Sequence, residues 1–382
     1  MTRHLTLKGG TVLWPGGLAG DDLHMAEGRL VDAPGRGIDA RGYLVLPGIV
    51  DLHGDGFERH LAPRRGALES LEVGLISVEA ELAANGITTA YLAQFMSWEG
   101  GMRGPDLAED LAQALLRGQF NLDLRLQLRL EIGFPEVFDR AARLVAQGLS
   151  HYVVFNDHLP HDALAQGRRP PRLVGQAMKA GHSPDAHHAL LQRLHDGMPG
   201  AEARLAELAR DLSARGVTLG SHDAAQPDAW QAHHSLGCHI CEFPETADAA
   251  LAARETGSVV VMGAPNVVRG GSHDKKVAAQ ALIADGIVDA LVSDYHYPAL
   301  YRAALRLWRD GMGLEQAWHL ISAGPSGAMG LTDRGTLALG NRADVVVLCA
   351  QTHRIEGVFC AGCPTHLSGS FAQRVLDEAH DP

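Results

Sequence analysis

The sequence predicts an α/β fold: a (β/α)8 barrel with a small β-sandwich domain built from both ends of the chain. Three observations predict it. Eight apolar runs of strand length end in polar tips, Ala/Leu-rich stretches with helical spacing lie between them, and both ends of the chain read as short alternating stretches broken by Gly and Pro. Strands that alternate with helices pair in parallel through crossovers, and eight such units over about 290 residues make a closed barrel.

Taken in order, residues 1–47 carry "GGTVLWPGG" and "MAEGRLVDAPGRG", turn-rich small-sheet material. The barrel is expected over 48–334. Its strands are "GIVDLHGD", "GITTAYLAQF", "LRLQLRLEI", "YVVFNDH", "VTLGSHD", "CHICEFP", "SVVVMGAPN" and "DALVSDY", with helices such as "AEARLAELARDLSARG" and "KKVAAQALIADGI" between them. The interval 160–200 is longer than a normal strand-to-helix connection and predicts a lid, a binding loop or a helical insertion. Residues 335–382 return to small-sheet patterning in "GTLALGNRADVVVL" and "HRIEGVFCAG", so the two ends are expected to meet in one satellite domain.

Composition bounds the partners. The chain has 382 residues, 46% hydrophobic and 20% charged, with a net charge of -12. That charge argues against a nucleic-acid surface, which needs clustered Lys and Arg, and leaves room for a small anionic substrate in a local basic pocket. The N-terminal "MTRHLTLKGGTVLW" has no apolar signal core and no apolar run is long enough to span a bilayer, so the reading is a soluble cytoplasmic protein without a membrane partner, compatible with a homo-oligomer. Five cysteines fit that compartment. Cys238/Cys241 and Cys360/Cys363 have CxxC spacing, yet they sit in or beside strand-like runs and read as buried unpaired thiols.

The chemistry gathers at the strand tips, where a barrel of this kind carries its active site. They supply His53, Asp55, Glu131, Asp157, His158, His222, Asp223, Glu242 and Asp294. Imidazoles and carboxylates from several strands suit zinc or manganese, and the period-two spacing of His53 and Asp55 turns both to one face of their strand. Each residue also has a structural reading. A histidine can be a hydrogen-bonded strand end, Asp157 and Asp223 can cap helices, and Glu242 can bind backbone amides or an arginine.

"LPGIVDLHGD", "GITTAYLA", "GAPNVVRGGSH", "SDY" and "DRGTLALGNRADVVVL" resemble the amidohydrolase superfamily. More narrowly, the chain is similar to its diphosphatases that act on alpha-D-ribose 1-methylphosphonate 5-triphosphate, and the likeness runs through nearly its whole length. The resemblance implies a TIM-like metal-dependent hydrolase barrel with two divalent ions, zinc, manganese or iron. It places His53 and Asp55 as the first-strand ligand pair, Glu131 as a carboxylate bridging the two ions, His158 and His222 on the second ion, and Asp294 as a metal ligand and the catalytic residue that takes a proton from water.

A triphosphate also needs cations and amides. Arg269, with Gly270, Gly271, His273 and Lys275, is expected in a loop over the metal site that binds the substrate, with Lys276, Arg64 and Arg65 as further cations. The subfamily's "DHxPGQ", "SHDD" and "HTDN" stand here as "DHLPHD", "SHDA" and "HGDG". Ligand positions persist while their neighbours change, so a relative of that substrate fits as well. The competing readings are an amide or cyclic-amide hydrolase or a deaminase, and a catalytically silent metal-binding barrel.

Overall fold

The computed structural model describes residues 4–64, 70–270 and 277–377. The chain forms two compact units, Met1–Tyr91 with Gln119–Leu124 and Met262–Pro382, and Leu92–Gly118 with Arg125–Val261. Its first strands are β1 (Leu5–Trp14), β2 (Gly17–Ala26), β3 (Arg29–Val31), β4 (Arg36–Asp39) and β5 (Tyr43–Pro47). Then come β6 (Ile49–Gly54), β7 (Ile87–Met96), β8 (Asp123–Glu131), β9 (Tyr152–Asn156), β10 (Thr218–His222), β11 (Ile240–Glu242), β12 (Val259–Gly263) and β13 (Ala290–Val292). The last are β14 (Val345–Cys349), β15 (Ile355–Cys360) and β16 (Cys363–Leu367).

Strands β6 to β13 form one eight-stranded sheet in sequential order, a near-closed parallel barrel, and each coincides with one of the eight apolar runs. Apolar side chains leave water on both faces of such strands, which is why the runs are nearly continuous rather than alternating. The first and last strands meet at their tips through a parallel bridge between Gly54 and Asp294.

The strands from the two chain ends make a second sheet in the order β16-β15-β14-β5-β1-β2-β3, with β4 also paired to β1. Both chain ends are needed because β5 pairs antiparallel with β14 along its whole length. β1 pairs antiparallel with β2 and also serves two parallel partners: Leu5–Lys8 run beside β4, whereas Thr11 and Val12 run beside β5. Its register shifts between Leu7 and Gly10, and Gly9 lies in the left-handed region at φ 67°. A side chain at Gly9 would come within 2.9 Å of Arg41 Cγ, so glycine fits that bulge on two counts. The sheet wraps a core that includes Leu7, Val12, Leu23, Val45, Val345 and Phe359.

The 160–200 interval is a helical insertion: His161–Ala165, Leu173–Lys179, Pro184–Asp196 and the start of Met198–Ala214. Ser183 caps the third helix by accepting from Ala186 N at 3.2 Å, with Pro184 at its first position. Leu164, Leu173, Leu191 and Leu194 bury against Trp98 and Leu159, which anchors the insertion to residues following β7 and β9. The expected loop at "GAPNVVRGGSH" is in part a helix. Ala264–Arg269 turns helical directly after β12, with Pro265 in its first turn where no backbone N–H is required. Of the two CxxC pairs, Cys238, Cys241 and Cys360 are buried thiols, whereas Cys363 is exposed.

Gly54 gives a direct test of packing at the closing strands. A methyl group there would lie 2.6 Å from Tyr297 Cε1 and 2.7 Å from Asp51 Oδ2. Both neighbours are fully buried, so Gly54→Ala should cost about 1–3 kcal/mol, read as a lower midpoint in urea unfolding. An unchanged midpoint would show that these neighbours give way freely.

Candidate active site

The alternation of β6 puts Asp51 and His53 on one face, and Asp55 follows directly after the strand ends at Gly54. Asp51 and His53 are fully buried. Asp51 accepts from Ser293 N at 3.0 Å, Ser293 Oγ at 2.5 Å and His53 N at 3.3 Å, so its carboxylate ties β6 to the end of β13. Burial pushes its pKa up, and the Ser293 and His53 bonds pull in the other direction. Beyond the strands, Asp294 N donates to His53 O at 2.9 Å and Asp55 N donates to Asp294 O at 3.0 Å. The structure thus brings His53, Asp55 and Asp294 together at one pair of strand tips. Asp51 was not among the expected residues, although the same period-two pattern marks it.

Asp294 has φ 55°, and the same left-handed turn occurs at Asp223 (φ 58°) after β10 and Phe243 (φ 52°) after β11. At each, the N–H donates to a carbonyl of a neighbouring strand: His53 for Asp294, Glu242 for Asp223 and Val261 for Phe243. The ladder therefore runs one residue past the strand in a conformation that favours glycine. Asp tolerates that conformation and Phe does not, so Phe243 marks local strain at the tip.

The expected substrate residues part company. Arg269 is exposed, with its guanidinium 5.3 Å from the centre of the Tyr295 ring. Gly270 adopts φ 81° as the helix cap, and its N–H donates to Asn266 O and Val267 O. Gly271, His273 and Lys275 lie outside the described residues, as do Arg65 and Lys276; Arg64 is exposed.

In the other compact unit, Glu131 ends β8 and is fully buried. Its Oε2 accepts from His158 N at 3.1 Å and its Oε1 contacts His158 Nδ1. Burial lowers the affinity of the His158 imidazole for a proton, but the hydrogen bond and charge of Glu131 outweigh it, and the net pKa shift is upward. His222, at the tip of β10, meets Asp223 Oδ2 through Nδ1 at 2.9 Å and Arg129 Nη2 through Nε2 at 2.9 Å. Arginine only donates, so Nε2 accepts and the proton of a neutral ring sits on Nδ1, facing Asp223.

Arg129 also escaped the sequence reading. It precedes Glu131 by two residues on the same face of β8, is 4% exposed, and stacks 3.8 Å from the centre of the Phe95 ring.

The alternative readings resolve one by one. Neither Asp157 nor Asp223 caps a helix, since Pro160 and Gln226 hold those positions. Thr246 does, accepting from Ala249 N. Glu242 is fully buried and accepts from Gln127 Nε2 at 2.8 Å and Tyr152 Oη at 2.5 Å, a network in the barrel interior.

Asp157 bonds His161 Nε2 at 3.0 Å, and His161 Nδ1 meets His195 Nδ1 at 2.7 Å. Asp157 raises the His161 pKa above its ordinary 6.5 against the opposing effect of burial. A raised histidine pKa stabilises the fold fully below 6.5, and the benefit disappears as pH rises through the folded value. The melting-temperature gap between wild type and Asp157→Asn should therefore be wider near pH 5.5 than near pH 9. Equal gaps would show that the pair carries no charge.

Donor atoms of His158, His222 and Asp223 all lie within 4.8 Å of one another. With Oε1 of Glu131 against His158 Nδ1, this nitrogen and oxygen set fits a divalent cation of the zinc, manganese or iron type. Among the described residues, no helix is long and apolar enough to cross a membrane.

No protein-family model matches the chain. It is 33% identical over 351 residues to the alpha-D-ribose 1-methylphosphonate 5-triphosphate diphosphatase of Escherichia coli (strain K12), which covers 87% of this chain and 89% of that protein. Its fold matches the crystal structure of an amidohydrolase with TM-score 0.63 at 14% identity, over 96% of this chain and 99% of the other. It also matches an adenosine deaminase from Xanthomonas campestris with bound zinc, with TM-score 0.55 at 14% identity, over 99% of this chain and 97% of that one. The near-closed barrel of eight parallel strands agrees with the folds of both solved structures. The chain belongs to the family of the alpha-D-ribose 1-methylphosphonate 5-triphosphate diphosphatase.

Proposed function

We propose that this protein hydrolyses the triphosphate of alpha-D-ribose 1-methylphosphonate 5-triphosphate, or of a close relative, and releases diphosphate. The observation that carries the reading is the 33% identity to that diphosphatase across 87% of the chain. The reading includes two divalent ions, zinc, manganese or iron, one drawing on His53, Asp55 and Asp294 and the other on Glu131, His158 and His222. Bound there, such ions lower the pKa of water toward neutrality and polarise a phosphoryl oxygen.

The chain's own groups do the rest. Glu131 fixes the His158 ring through two contacts, and Asp223 fixes the tautomer of His222. Asp294 accepts the proton of the attacking water. Its backbone is held on both sides by His53 and Asp55, which limits the arc its carboxylate can sweep.

The test is a product assay on purified, metal-replete protein with the ribose triphosphate and with a panel of amide and amine substrates. Diphosphate release from the triphosphate is expected, and chelation should abolish it. Cleavage of an amide or amine with no diphosphate from any ribose 5-triphosphate would overturn the reading in favour of an amide hydrolase or a deaminase.

A further inference from the structure

We propose that Arg129 is the substrate-contacting cation of this site, the group that hydrogen-bonds a phosphoryl oxygen. The inference deepens the diphosphatase reading and rests on it for the identity of the substrate, though not for the anion-binding role itself.

Position comes first. Gln127, Arg129 and Glu131 alternate along β8, so the guanidinium emerges on the same face as the candidate ligand Glu131, one step below the strand tip. Its orientation is set from the two flanking strands. Phe95 of β7 lies under the guanidinium plane at 3.8 Å, and Asn156 Oδ1 of β9 accepts from both Nε and Nη2 at 3.4 Å. Phe95 is itself held by Arg103, 4.3 Å from the ring centre and bonded to Glu99 at 2.9 Å. A planar fork held this way has already lost the rotamer freedom that a lysine would lose on binding.

Strength decides what the fork is for. The two 3.4 Å bonds to Asn156 are at the long limit for N–H···O, whereas guanidinium–phosphate bonds form near 2.7–2.9 Å and are about twice as strong as neutral ones. An arriving phosphoryl oxygen can thus take over the Asn156 bonds at a net gain. Arg129 carries a permanent positive charge at this point. In a chain of net charge -12, whose candidate ligands include Glu131 and Asp223, an anionic substrate needs such a compensating charge beside it. Arg269, expected for that task, instead ends a helix in an exposed position over Tyr295.

The experiment titrates inorganic diphosphate into metal-replete wild type, Arg129→Met and Arg129→Lys by calorimetry, with metal content and melting temperature measured on each. Arg129→Met should weaken diphosphate binding about 10- to 100-fold with metal content unchanged, and Arg129→Lys should fall in between. Added guanidinium ion should restore part of the affinity of Arg129→Met, which a purely structural role would not produce. Diphosphate affinity equal to wild type in either folded variant overturns the proposal, as does a wild type that binds no diphosphate. Should Arg129→Met fail to fold, Arg129→Lys alone decides it. If wild type binds diphosphate through Arg129 but cleaves no ribose triphosphate, the diphosphatase reading falls and the role of Arg129 stands.

Discussion

Glu131→Gln should lower both the metal content of the protein and its turnover by about 10- to 100-fold at least, while the barrel stays folded. Glu131 meets His158 twice, at the backbone N–H and at Nδ1, so the amide loses one charge and gains the wrong donor at a single point. With the carboxylate gone, burial and the Arg129 charge outweigh the remaining pull of Glu99, and the His158 pKa falls from the raised value. Competition from protons would then ease, which by itself favours a cation. The predicted loss of metal therefore measures orientation and carboxylate charge rather than protonation. Elemental analysis after dialysis, beside circular dichroism of the same samples, reads the result. Full metal content in Glu131→Gln would remove Glu131 and its contact with His158 from the site.

Much of this was legible in the sequence because the strands of a parallel barrel are buried on both faces. Apolar runs such as "YVVFN" leave few alternatives, and each ends where burial ends. His53, Asp55, Glu131, His158, His222 and Asp294 stood out as polar residues at those ends. Asp51 and Arg129 stood in the same alternating positions two residues earlier, and were passed over because a polar residue inside an apolar run looks like a flaw in the strand. What such a residue binds depends on register. Glu131 pairs with Asn156, and His222 with Glu242, through ladder bonds that the sequence does not encode locally. The segment 264–269 misled for a different reason. Gly, Pro and Asn after a strand signal a turn, but Pro265 in a first helical turn, with Gly270 left-handed at the far end, is also the punctuation of a short helix.

Asp51→Asn should cost about 1–3 kcal/mol of stability, although the change removes almost no volume. Its two oxygens receive three donors, Ser293 N, Ser293 Oγ and His53 N, and all three groups belong to fully buried residues. An amide can keep one oxygen on the two backbone N–H groups, but its NH2 then faces Ser293 Oγ, which must turn from donor to acceptor and find a new place for its own proton with no water at hand. Ser293→Ala removes just the hydroxyl and keeps the two backbone donors satisfied, and should cost about 0.5–1.5 kcal/mol. Urea unfolding of the two variants separates a carboxylate that holds β6 against β13 from one that merely occupies the interior. Because Asp294 and His53 exchange backbone contact one residue beyond this carboxylate, loosening it should also widen the positions open to the proton acceptor. Activity in Asp51→Asn is then expected to fall well below the loss explained by its unfolded fraction. Equal midpoints in Asp51→Asn and wild type would mean that the backbone bonds alone close the barrel, and the tips of β6 and β13 would owe their alignment to the Gly54–Asp294 bridge.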